Sequence, residues 1–100
     1  MSYKLVVKEE VEDDLSKLSH TQRVLVFKQF KKLQNSPQLG IALGNKAGYN
    51  LSGCKKLYVD KKKIRIVYRI VDNEILIEVI VVGKREDMEV YDKANKRINS

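Results

Sequence analysis

The residues best equipped for chemistry in this chain are cations and tyrosines. GKREDMEVYDKANKRI, residues 83–98, places Lys84, Arg85 and, six residues on, Tyr91 where a run of aliphatics gives way to a charged segment. Upstream, CKKLYV and KIRIVYRIV supply Lys56, Tyr58 and Arg65. Lysine holds phosphate as a point charge and arginine as a planar fork. The single histidine, His20, lies in a distant segment, so the seam has no imidazole for proton transfer near neutral pH. Clustered cations compensate in part, because like charges raise a lysine's supply of free base.

These groups form a site only if the strands bring them together. Along KIRIVYRIV, Ile64, Ile66, Tyr68 and Ile70 point one way and Arg65, Val67 and Arg69 the other. An even-numbered turn centred on Lys61-Lys62 sets Tyr58 opposite Arg65 and Lys56 opposite Val67. A two-residue turn at Asp72-Asn73 sets Arg65 opposite Ile80 and carries the same face through Glu78 and Val82 to Lys84. Lys56, Tyr58, Arg65 and Lys84 are therefore expected on one open sheet face. Arg85 falls at its rim and Lys61, Lys62 and Lys63 at the hairpin tip. Taken singly, each side chain is more often a solvated or salt-bridged one, with Glu78 or Glu86 as partner; the set favours a phosphate-binding floor.

The positioning elements follow from periodicity. SYKLVVKE alternates as a first strand, and VEDDLSKL carries Val11, Leu15 and Leu18 on a helical stripe with acids in its first turn. Ser19 and Gln22 have capping-box spacing and open a second helix, with Val24, Phe27, Phe30 and Leu33 as its expected buried stripe, ending before Pro37. Residues 35–53, with four glycines, read as a long loop in which Lys46 and Tyr49 are possible contacts. Three strands follow, then a short helix in EDMEVYDKANKRI with Asp87 as its cap. The order β-α-α-β-β-β-α predicts an α+β fold: a small antiparallel sheet, an N-terminal helical hairpin and a short C-terminal helix, with the helices on one sheet face.

The totals agree with that scale. One hundred residues make one domain, residues 1–100. No stretch is long and apolar enough to cross a bilayer, and the opening MSYKLVVKEEVEDD is too acidic for a signal peptide. Cys54 alone can form neither an internal disulfide nor a zinc site, which suits a reducing cytoplasm. A net charge of +7 suits a polyanionic or acidic partner and, equally, a merely soluble basic surface.

LSGCKKLY, IRIVYRIV and VVGKREDMEVYDKANKRI together resemble the RelE branch of the RelE/ParE toxin superfamily. The most specific part is Gly83-Lys84-Arg85-Glu86 followed by Val90-Tyr91, and the likeness extends to the early helix pair and the PQLG loop. The resemblance implies the toxin of a type II toxin–antitoxin system, an endoribonuclease that cuts messenger RNA in the ribosomal A site without metal or cofactor. It also implies contacts with ribosomal RNA, an acidic RelB-like antitoxin, a cytoplasmic location and no membrane. Matched position by position, the family's catalytic lysine falls on Lys56, its strand arginine on Arg65, its post-strand arginine on Arg85 and its helix tyrosine on Tyr91. One position departs: Tyr58 stands where that branch commonly has a second lysine, proposed there as general base. Tyr58, Lys61, Lys62, Lys63 and Lys84 are the expected RNA contacts.

Attack of a 2′-hydroxyl on the adjacent phosphodiester requires a proton acceptor, relief of charge on the phosphorane-like state, and a proton for the departing 5′ oxygen. On this pattern Lys56 and Arg65 hold the phosphate and Arg85 stabilises the leaving oxygen. Tyr91 stacks on a base or orients the nucleophile. Two alternatives stay open at the level of sequence: a gyrase inhibitor of the ParE branch, and a non-catalytic RNA-binding module.

Overall fold

A computed structural model describes residues 2–46, 48–84 and 89–99. The chain begins with strand β1 (Lys4–Val7), then helices α1 (Glu10–Ser16) and α2 (His20–Asn35). Four strands follow, β2 (Ile41–Lys46), β3 (Tyr49–Val59), β4 (Ile64–Val71) and β5 (Leu76–Lys84), and helix α3 (Val90–Ile98) ends the order. The α+β class is as expected, but the sheet is five-stranded and mixed, in the order β1-β5-β4-β3-β2, with β1 parallel to β5.

The extra strand lies in the segment read as a long loop. A 3₁₀ turn at Pro37–Leu39 leads into β2, which pairs antiparallel with β3. The glycines that suppressed its strand signal sit at an irregularity between Ala42 and Gly44 and at positive φ (Gly44 +59°, Gly48 +83°). Buried Tyr68 fixes this segment to the sheet: its hydroxyl donates to the Pro37 carbonyl and accepts from the Gly40 amide, both at 2.8 Å. Gly40 is required there, because a Cβ would lie 2.5 Å from the Tyr68 hydroxyl and 2.7 Å from the Lys56 carbonyl.

The predicted capping box is present, with the Ser19 hydroxyl accepting from the Gln22 amide. The buried stripe of α2 is Val26, Phe30 and Leu33, while Val24 and Phe27 are exposed. The expected stripe advanced in steps of three. At about 100° per residue, nine residues from Val24 to Leu33 leave the two on opposite sides of the helix.

Helices cover both faces of the sheet, not one. The hairpin α1–α2 packs on Ile64, Ile66, Tyr68, Ile77, Val79 and Val82. On the other face, Val90, Tyr91 and Ala94 of α3 join Leu51, Cys54, Val67, Ile80 and Val81. The expected cap of α3, Asp87, lies outside the described residues; the residue before the helix is Glu89.

Strand β1 ends opposite Val79, which leaves the next residues of β5 without a strand on that side. Asp14 and Arg97 take over that edge. The Val82 amide donates to Asp14 Oδ2 at 3.0 Å, and Arg97 donates to the Ile80 carbonyl at 2.8 Å. The two side chains also form a two-pronged ion pair, at 2.7 and 3.1 Å, joining α1 to α3. No helix among the described residues is long and apolar enough to cross a membrane.

Candidate active site

The β3–β4 register is the one the sequence implied: Tyr58 lies opposite Arg65 and Lys56 opposite Val67. The turn between them, Asp60–Lys63, holds Asp60, Lys61 and Lys62 at positive φ (55°, 54° and 70°) and leaves the three lysines exposed. Successive left-handed non-glycine residues are costly, about 1–3 kcal/mol each. The turn is anchored by Asp60, whose carboxylate accepts from the Gln22 side chain and whose carbonyl accepts from the Lys63 amide.

The β4–β5 register differs from expectation and moves one candidate. The connection is a four-residue one, a 3₁₀ turn at Asp72–Glu74 with Ile75 left-handed, which by itself preserves the expected faces. Arg69 and Glu78 accordingly pair, and their side chains form an ion pair at 2.7 Å. A register shift between Val67 and Tyr68 then inverts the alternation of β5. Arg65 lies opposite Gly83 instead of Ile80, and Lys84 lies opposite Ile64. Lys84 therefore belongs to the hairpin side, lining a cavity of about 290 Å³ with Asp14, Lys17 and Lys93. It is not a member of the Lys56–Tyr58–Arg65 group.

What remains together is a layered cluster. The Arg65 guanidinium carbon lies 4.7 Å from the centre of the Tyr91 ring and 5.9 Å from that of Tyr58. Arg65 and Tyr91 are buried, each 7% exposed, so β4 and α3 meet through a cation–π stack. Above them, half-buried Lys56 donates a hydrogen bond to the Tyr58 hydroxyl at 3.1 Å. That bond, with the charges of Lys56 and Arg65, holds the Tyr58 phenol below its ordinary pKa against the opposing effect of burial. Arg85 lies outside the described residues.

The two possible contacts in the segment read as loop, Lys46 and Tyr49, both lie beside Tyr91 or its helix. Lys46, at the end of β2, places its ammonium 5.9 Å from the Tyr91 ring centre. Tyr49 donates to Asp92 at 2.9 Å, which raises the Tyr49 phenol, while Lys96, 3.0 Å away on the next turn, leads in lowering the Asp92 carboxyl. Tyr49 thereby fixes the first turn of α3, beside Tyr91. Asp14 and Arg97 carried no sequence signal, since nothing in their local pattern links residue 14 to residue 97. Among the described residues no group of His, Cys, Asp or Glu could hold a metal ion.

The surface so built offers cations to an anion and one polarised phenol beside them, which suits phosphodiester recognition. No family model matches the chain. It is 34% identical over 98 residues to the mRNA interferase toxin RelE of Escherichia coli K12, covering 98% of this chain and 99% of that one. A free-state structure of an E. coli RelE variant with two arginines replaced by alanine superposes with a TM-score of 0.76 at 33% identity, over 98% and 99% of the two chains. The same variant bound to a peptide of its antitoxin RelB gives 0.68 at 31% identity, over 94% and 95%. Full-length identity at this level, on the same sheet and helices, places the chain in the RelE family of mRNA interferase toxins.

Proposed function

We propose that the chain is the toxin of a type II toxin–antitoxin pair and cleaves messenger RNA in the ribosomal A site by 2′-hydroxyl attack on the adjacent phosphodiester. The observation that carries this is the convergence of Lys56, Tyr58, Arg65 and Tyr91 from two strands and a helix into one contiguous stack. Lys56, half-buried, meets the phosphate, and Arg65 beneath it adds fixed positive charge. Tyr91 orients the Arg65 guanidinium. The base-stacking role considered for Tyr91 would require its 7% exposed ring to be uncovered first. Arg85, one residue beyond Lys84, stabilises the departing 5′ oxygen. Lys61, Lys62 and Lys63 contact ribosomal RNA from the hairpin tip.

The same chemistry describes the antitoxin. An acidic, partly disordered chain would be drawn to the +7 surface, and exposed Phe27 and Ile41 give it apolar ground. Both partners belong to the cytoplasm. A site without imidazole depends on the ribosome to bend the message into line, so naked RNA is a poor substrate.

The test is Arg85→Ala in single-turnover cleavage on programmed ribosomes. Cleavage should fall by roughly 100-fold or more, with ribosome binding reduced far less. Equal losses in both contradict the catalytic assignment, and intact message under the unmodified protein contradicts the function.

A further inference from the structure

Cleavage by a 2′-hydroxyl needs a group that takes its proton, and the cluster contains few. The Arg65 guanidinium presents only N–H donors. The Tyr91 ring is buried under Arg65. Lys56 and Tyr58 are the half-buried pair, and they share a hydrogen bond in which the ammonium donates and the phenol oxygen accepts. Donation to the phenol oxygen from a positively charged neighbour favours the phenolate form of that oxygen.

We propose that the phenol oxygen of Tyr58, in its deprotonated form, is the general base of the cleavage step. The assignment rests on reading this site as an RNA-cleaving one. In the step, the 2′-O–H proton passes to the Tyr58 oxygen as the 2′ oxygen forms its bond to phosphorus. The P–O5′ bond breaks, and O5′ leaves with the electron pair and takes a proton from water. The products are a 2′,3′-cyclic phosphate and a 5′-hydroxyl. Tyr58, now neutral, still accepts from Lys56 and returns its proton to solvent.

The surroundings favour this division of labour. Facing the Tyr58 oxygen are Lys56 on its own strand and Arg65 from β4; Tyr91 of α3 and Lys46 of β2 lie in the layer beyond. Lys56 and Arg65 hold the phenol below its usual range, led by the Lys56 hydrogen bond. A phenolate closer to neutral pH is a better-matched base than an ordinary tyrosine. The two cations also remain in place to receive the phosphate.

Tyr58→Phe keeps the ring beside Arg65 and removes only the oxygen. Single-turnover cleavage on programmed ribosomes, followed against pH, should fall by about 100-fold or more. The wild-type rate should climb with pH until the phenol is deprotonated, and the variant should lose that climb. Lys56→Met should move the plateau to higher pH. In the free protein, the near-ultraviolet absorbance of tyrosinate should show one early-titrating tyrosine, absent in Tyr58→Phe and shifted upward in Lys56→Met. A Tyr58→Phe protein that cleaves near the wild-type rate, or loses rate in parallel at every pH, overturns the assignment. So does the lack of an early-titrating tyrosine. A wild-type protein that leaves ribosome-bound message intact overturns instead the RNA-cleaving reading on which it rests.

Discussion

Arg65 occupies a position that charge alone does not explain. A lysine would supply the same +1, but not a planar guanidinium within reach of two tyrosine rings, 4.7 and 5.9 Å away. Arg65→Lys should therefore lower single-turnover cleavage about tenfold or more and cost about 1 kcal/mol in urea unfolding. Unchanged values would mean that the stack contributes charge and not shape. Arg65 was legible in the sequence because alternation along β4 isolates it among aliphatics and the even turn at Lys61-Lys62 fixes its partner. Lys84 was misassigned because one register shift, between Val67 and Tyr68, turns the end of β5 over. A bulge leaves no mark in the pattern of a strand that is aliphatic on both faces. Lys46 was legible only as a possible loop contact, because its strand contains Gly44, which a periodicity argument reads as loop.

At the scale of elements, α3 matters most, because it brings Tyr91 to the sheet. Its last turn is fastened by the Arg97–Asp14 pair, with side chains 13% and 4% exposed. Removing one partner leaves the other charge buried and also uncovers the edge of β5 at Ile80 and Val82. Arg97→Met should destabilise the fold by about 3–5 kcal/mol in urea unfolding. Combining it with Asp14→Leu should recover part of that loss, since two apolar groups leave no uncompensated ion. A double variant as unstable as the sum of the single ones would show that the backbone contacts outweigh the pairing. The helical hairpin and its capping box were readable from local residues. The second helical layer was not, because EDMEVYDKANKRI specifies a helix without specifying which side of the sheet it covers.

For the whole molecule, the excess of twenty Lys and Arg over thirteen Asp and Glu has a focal point in the exposed Lys61–Lys63 tip. Replacing those three lysines with serine should lower the slope of log affinity for ribosomes against log salt by about three, one per lost phosphate contact. The single-turnover rate at saturating ribosomes should change much less. An unaltered slope would remove the tip from the interface. The mixed sheet itself could not have been read from sequence order: short connections suggested neighbouring antiparallel strands, whereas β1 skips the chain's middle to lie beside β5.

That skip sets when the molecule can exist. The first strand has no neighbour until residues 76–79 are available, and Asp14 waits for Arg97. A chain that has emerged only as far as β4 can assemble neither contact, because the necessary residues have yet to appear. The site is thus completed only once α3 is available to fold back on α1 and the sheet. Until then the proposed toxin has no finished site with which to attack translation.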